Sequence, residues 1–210
     1  MSLRFRVLGS SSSGNVTLVS ARDAHVLVDV GLSGRETVRR LRECGIEPED
    51  ISAVVISHEH TDHCRGVSPF VKSLEMPVFI AGRTLAASGL ALDRGRLRPI
   101  ETGTAFEVCG MLFTPFAVPH DAADPVGFTI EAEGVKIGVV MDLGFVSSLV
   151  VERLRGCDGI VLESNHDISM LRVGPYPWAR MQRALGRRGH LAPDAVAEFL
   201  AREFDGQARH

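Results

Sequence analysis

Residues 58–63 read His58-Glu59-His60-Thr61-Asp62-His63 and follow directly on the apolar run Ala53-Val54-Val55-Ile56. Three imidazoles and a carboxylate this close together resist solvent-free burial unless a positive centre lies among them. A divalent ion held through N and O ligands is such a centre. A helical zinc-protease motif would place its second histidine four residues after the first. Here that position holds Asp62, so that motif is excluded. A histidine-rich disordered tract is excluded too, by the apolar run before the cluster and by Gly66-Val67 after it. The remaining plain alternative is a set of solvated surface histidines.

The β-branched run is short and reads as a buried strand, which puts the cluster on the loop at that strand's C-terminal end. α/β proteins build their sites at such strand ends. Other strands are expected at 4–8, 15–20, 25–30, 77–80, 98–101, 105–109, 111–118, 126–133, 135–141 and 159–162. Helices are expected from Ser33, where Ser33 and Glu36 have capping-box spacing and Gly45 ends the pattern, and at 70–74, 84–92, 147–154, 177–185 and 193–204. Strands and helices mixed along the whole length, without repeats or linkers, imply one layered α/β domain spanning 1–210.

The chain has 210 residues, with 45% apolar content and a slightly positive mean hydropathy, enough for a sizeable core. No apolar run has the length of a membrane span. The N-terminal stretch lacks the long apolar segment of a signal peptide. Cys44, Cys64, Cys109 and Cys157 are widely spaced, which fits free thiols in a cytoplasmic protein. Cys64, next to His63, reads as a small packed residue. A net charge of −3 carries no global nucleic-acid signal. Locally, Arg172, Arg180, Arg183, Arg187 and Arg188 fall in a stretch without acids that also holds Tyr176 and Trp178. Arginine with aromatics suits phosphate contact plus base stacking. An exposed helix face with Trp178 packed inward is the other reading.

More ligands than six residues can supply must come from other strand ends. His120, Asp142 and Asp29 each close an apolar run and could converge on one sheet edge. Each also has a local alternative: a turn residue, a helix N-cap and a turn former before Gly31.

Taken in order, Asp29, His58/His60/Asp62/His63, His120 and Asp142 resemble the signature of the metallo-β-lactamase-fold hydrolases. The resemblance implies an αββα four-layer sandwich with a two-ion site at one edge. It implies that His58, His60 and His120 hold one ion, that Asp62 and His63 hold the other, and that Asp142 bridges them. Asp29 would orient a ligand histidine from behind. The segments Gly9–Asn15, Asp29–Ser33, His120–Phe128, Glu163–Asp167, Gly174–Trp178 and Gly189–Leu191 are similar, over essentially the whole chain, to the WalJ/YycJ-type bacterial exonucleases. That family acts 5′→3′ on DNA.

The resemblance implies a metal-assisted phosphodiester hydrolase using two divalent ions, Zn or Mn. Asp62 would orient the attacking water, and His190 would contact phosphate or protonate the leaving oxygen. His166 would stand behind the site or on its substrate side, and His25 would be structural. Arg187, Arg188, Tyr176 and Trp178 would hold DNA, as a single strand or a duplex end. The superfamily closes with a further strand and a last histidine. His210 has no apolar strand before it, so the chain reads as a sandwich lacking its last strand. Two other functions are therefore carried forward. One is an inactive metal-binding fragment; the other is a hydrolase of thioesters, lactones or small cyclic phosphodiesters built on the same metal core.

Overall fold

The computed structural model describes residues 2–72, 74–165, 171, 174, 175 and 177–203, apart from the side chain of Arg180. Tyr176, His166, Arg172 and His210 lie outside the described residues.

Two sheets face each other. The first has strand order β1 (Arg4–Gly9), β2 (Val16–Ala21), β3 (Ala24–Val28), β4 (Ile51–Val55), β5 (Val78–Ala81) and β6 (Leu97–Ile100). β1, β2 and β3 pair antiparallel, and β3 to β6 run parallel. The second sheet runs β11 (Gly159–Leu162), β10 (Val135–Val140), β9 (Val126–Ala132), β8 (Met111–Ala117) and β7 (Phe106–Val108). Only the β10–β11 pair in it is parallel.

The apolar alternation explains the layering. Along β3 and β4, Val26, Val28, Ala53 and Val55 join Phe113, Phe128, Ile130 and Val139 of the second sheet in a core between the sheets. Their neighbours Leu27, Val54 and Ile56 point the other way, into a second core with Leu41 of α1 (Gly34–Arg42) and with Val67, Phe70 and Val71 of α3 (Val67–Val71). On the far side of the second sheet, Phe116 and Val140 pack on Val150 and Leu154 of α5 (Ser148–Leu154) and on Phe199 of α7 (Pro193–Glu203). Strands covered on both faces read as continuous apolar runs because both pleat faces are buried. Layer order is therefore helix, sheet, sheet, helix.

Local signals act where the sequence placed them. The Ser33 hydroxyl accepts the Glu36 N–H at 3.2 Å and starts α1. The Glu36 carboxylate does not close a capping box; it pairs with Arg39 and Arg40 instead. Ser147 caps α5. α4 (Gly82–Ser88) stops at Gly89, whose φ of 64° needs a left-handed residue, so that helix is shorter than its apolar pattern suggested. Three short elements escaped the sequence pattern: 3-10 turns at Pro48–Asp50 and Arg94–Arg96, and α2 (Thr61–Cys64), a single turn inside the histidine cluster. No helix among the described residues is long and apolar enough to cross a membrane.

Candidate metal centre

The strand ends meet at one edge of the sandwich. Asp29 follows β3, Ser57 and the 58–63 segment follow β4, His120 follows β8, Asp142 follows β10 and Glu163 follows β11. Cross-links hold this edge together. Val126 N–H donates to Ser57 O at 3.1 Å, Gly144 N–H to Pro119 O at 2.8 Å, and Val30 N–H to His63 O at 2.8 Å.

His58, His63 and His120 are each aimed by a partner on the far nitrogen. The Asp29 carboxylate is fully buried and takes Ser57 N–H at 2.8 Å, Ser57 Oγ–H at 2.7 Å and His63 Nδ1 at 2.8 Å. Its backbone sits at φ 62°, which aspartate tolerates better than most residues. Ser57 Oγ lies 3.0 Å from His58 Nδ1, and Gly189 O lies 3.0 Å from His120 Nδ1. With those nitrogens engaged, the Nε2 atoms of His58, His63 and His120 face inward, the way partner groups behind a ligand histidine select its tautomer.

Inside, Asp142 Oδ2 lies 3.4 Å from His58 Nε2, 3.2 Å from His63 Nε2 and 3.5 Å from His120 Nε2. His60 Nδ1 lies 3.1 Å from both His58 Nε2 and His120 Nε2. Three sets of ligand atoms result: His58, His60, His120 and Asp142 in the first, Asp62, His63 and Asp142 in the second, and Asp142, Glu163 and His190 in a third beside them. Ligands of one tetrahedral zinc would stand ~3.3 Å apart, given zinc–nitrogen bonds of about 2.0–2.1 Å. The imidazole separations observed are close to that, and three nitrogens with a carboxylate are a fitting donor set. The residues fit a metal.

Electrostatics agree. Burial alone would raise the Asp142 pKa, but hydrogen bonds from His58 and His63 hold it well below the usual carboxylate range. Burial lowers His120 and His60, and the neighbouring His58 adds to it, so both are neutral and able to ligate. Burial would lower His63 as well, yet Asp29 and Asp142 push it up to about 10. A metal at its Nε2 would displace that proton.

Asp62 is more open than the other acids. Asn15 Nδ2 donates to Asp62 Oδ2 at 3.3 Å and stands 3.0 Å from His63 Nε2, while Asn15 N–H donates to Asp62 O at 2.8 Å. Gly31 makes this possible: a Cβ there would fall 1.6 Å from Asp62 O. Glu59, between two ligand histidines, faces away and accepts Ala123 N–H at 2.8 Å. Cys64 is buried against the Glu59 carbonyl.

His190 stands beside this centre, its Nδ1 at 2.6 Å from Glu163 Oε1 and at 3.9 Å from Asp142 Oδ1. Glu163 is itself fixed by Leu143 N–H at 2.9 Å, Leu191 N–H at 3.3 Å and Asn165 Nδ2 at 2.8 Å. Burial alone would lower His190; the Glu163 carboxylate overcomes it and keeps the pKa above its ordinary value.

The basic stretch divides. α6 (Trp178–Leu185) carries Trp178 outward at 68% exposure, so the inward-packed reading of that residue is wrong. Arg187 lies over the Phe145 ring at 4.7 Å, and Arg188 is exposed. Gly144 allows this loop to come close, since a Cβ there would meet Arg187 O at 2.3 Å. Arg183, not singled out by the sequence, is bound through Nε and Nη2 to Asp121. His25 stays outside the centre, on Ser20 Oγ at 2.7 Å. Asn15 and Glu163 had no assigned role in the sequence reading. The available signal was position: Glu163 follows a buried strand as Asp29 and Asp142 do, and Asn15 directly precedes one.

Comparisons with known proteins agree with this geometry. The family model described as the β-lactamase superfamily domain matches residues 24–204. Exodeoxyribonuclease YycJ of Bacillus anthracis is 30% identical over all of this chain and 81% of its own length. Exodeoxyribonuclease WalJ of Streptococcus pneumoniae serotype 2 is 30% identical over 98% of this chain and 78% of its own. Zn²⁺-bound PqqB from Methylobacterium extorquens shares the fold at TM-score 0.72 and 18% identity, over 90% of this chain and 80% of that one. A matching superfamily model and relatives that align with nearly all of this chain, around one buried histidine–aspartate centre, leave a single assignment: the chain belongs to the YycJ/WalJ family of the β-lactamase superfamily.

Proposed function

We propose that this chain is a dinuclear-metal phosphodiesterase that degrades DNA as a 5′→3′ exonuclease. The observation that carries the reading is Asp142 Oδ2, which faces His58, His120 and His63 at once and so joins the first ligand set to the second. The names of the two relatives point to DNA as the substrate. We assign His58, His60 and His120 to one ion, Asp62 and His63 to the other, and Asp142 to both. The N/O donor set suits zinc or manganese. We read the chain as one domain in the cytoplasm, a reading supported by the shared core between its sheets and by four unpaired cysteines.

When bound, a pair of divalent ions supplies a water acidified to about pKa 7 and neutralises charge growing on phosphoryl oxygen. The chain's own residues do the rest. Asp29 and Ser57 hold His63 and His58 in place, and Gly189 O does the same for His120. Asn15 keeps the Asp62 carboxylate turned toward the centre, where it orients the attacking water. His190, held protonated by Glu163, gives its proton to the leaving 3′ oxygen. Arg187 and Arg188 at the rim meet backbone phosphates, and exposed Trp178 offers a stacking face for a base. Tyr176 and His166 keep their expected roles as DNA contact and supporting residue, both outside the described residues.

The test is metal-loaded protein on a 3′-labelled DNA strand. Stepwise shortening from the 5′ end is expected, and His58→Ala is expected to lose turnover together with one ion per chain. Full activity in that variant, or hydrolysis of lactones and thioesters with indifference to DNA, overturns the reading. One tight and one weak ion, with negligible hydrolysis of any of these, would favour the inactive-fragment alternative.

A further inference from the structure

Three of the four clustered histidines are held from behind, and the fourth is not. His58, His63 and His120 are buried, with Ser57, Asp29 and Gly189 O on their far nitrogens. The His60 side chain is 23% exposed, and its outer nitrogen Nε2 has only Asp121 Oδ1, at 3.9 Å, too long for a hydrogen bond. Its inner Nδ1 nevertheless stands 3.1 Å from both His58 Nε2 and His120 Nε2. Something other than its ring must fix it there.

Glu59 adjoins His60, and its side chain leaves the centre altogether. Oε1 accepts the N–H of Ala123, 64 residues further along the chain, at 2.8 Å. Ala123 lies in the loop between β8 and β9 that carries His120, closed at its neck by Val118 N–H donating to Pro125 O at 3.1 Å. Thr84 of α4 and Thr102 after β6 steady the same loop, donating to Asp124 O and Asp124 Oδ1 at 3.2 Å each. Glu59 therefore ties the backbone beside one ligand histidine to the loop that bears another.

Stability gives no reason for an acid at this position. Glu59 Oε2 is the one buried side-chain N or O atom among the described residues that lacks a hydrogen-bond partner. Such an atom costs free energy, and a charged one costs more. Two properties of the glutamate could serve the centre: its reach and its negative charge. The geometry favours reach, because the carboxylate turns outward to Ala123 and belongs to none of the ligand sets. We propose that Glu59 is the positioning residue for His60: anchored on Ala123, it sets the spacing of His60 to His120 and so the affinity of the first ligand set. This inference rests on the two-ion part of the proposed function and is independent of the DNA substrate.

The experiment titrates the metal-free full chain with cobalt(II) against a competing chelator and follows the visible absorption of the bound ion, which reports its ligands and geometry. Glu59→Asp keeps the charge but is one methylene short of Ala123. Glu59→Gln keeps the length and an acceptor oxygen but loses the charge. In Glu59→Asp one ion should bind roughly 10- to 100-fold more weakly and with an altered spectrum, the loss typical when a group supporting a metal ligand is removed. The other ion should be retained, since Asp62 and His63 lean on Asn15 and Asp29 instead. Glu59→Gln should match the wild type in both affinity and spectrum. Glu59→Met, of similar length but without an acceptor, replaces Glu59→Asp in the comparison if that variant fails to melt cooperatively. Wild-type affinity in the variant that cannot bond Ala123, or an equally large loss in Glu59→Gln, overturns the positioning role and leaves the two-ion reading standing. Failure of the wild type to bind cobalt overturns both.

Discussion

The two buried acids that stand behind the centre are satisfied by donors that also set their tasks. Asp29 and Glu163 are engaged on both carboxylate oxygens, so neither is left to distort the site. Glu163 differs from Asp29 in what it holds: Asp29 backs a ligand histidine, whereas Glu163 backs His190, whose value as an acid depends on keeping its proton. A group with a raised pKa stays protonated to higher pH, so activity that needs protonated His190 falls as pH rises through that raised value. Glu163→Gln removes the charge that opposes burial. The alkaline limb of the kcat profile should then move to lower pH, and a limb that stays in place would show that His190 is not the acid.

Elements contribute by ending where they do. Parallel strands β3 and β4 finish side by side, and each delivers its polar residues at the step after the last residue of its apolar run. The one-turn helix α2 then turns Asp62 and His63 back toward Asp29 and Asn15. Gly31 is the point where these pieces touch, with no room for a methyl group. Gly31→Ala should push the Asp62 backbone outward and cost the second ion while His58, His60 and His120 keep the first. Elemental analysis should fall from two ions per chain toward one, and kcat by at least about 100-fold, as expected for a displacement near 1 Å at reacting groups. Retention of both ions at wild-type activity would mean the turn is softer than its packing implies.

At the scale of the whole molecule, the sandwich is a stiff frame whose two halves must stay in register for the centre to exist. His58 comes from the first sheet and His120 and Asp142 from the second, so the packing between sheets sets the ligand distances. Phe79, Phe106, Phe113 and Phe128 form a continuous aromatic series across that interface, with centroids 5.1, 5.5 and 6.1 Å apart. Phe113→Ala leaves a cavity there and should cost about 3–5 kcal/mol, lowering the Tm by roughly 10 °C. Because the lesion lies away from the mouth, KM for DNA should stay near the wild-type value at a temperature where the variant is folded. A Tm within a degree or two of wild type would show that the interface closes over the gap.

Periodicity and local composition were enough to reveal the strands, the layered class and the metal hexapeptide, because these depend on near neighbours and on whether both faces of a strand are buried. Residues placed at strand ends were readable for the same reason: a polar side chain directly after an apolar run has few other places to go. What only the tertiary structure decided are pairings across long stretches of chain, namely Asn15 with Asp62, Glu163 with His190 and Asp121 with Arg183, 47, 27 and 62 residues apart. It also turned Trp178 outward and paired Arg183 with Asp121, outcomes that local composition does not specify. Local sequence reports which face a side chain takes; distance between remote residues is set by how two sheets close on each other.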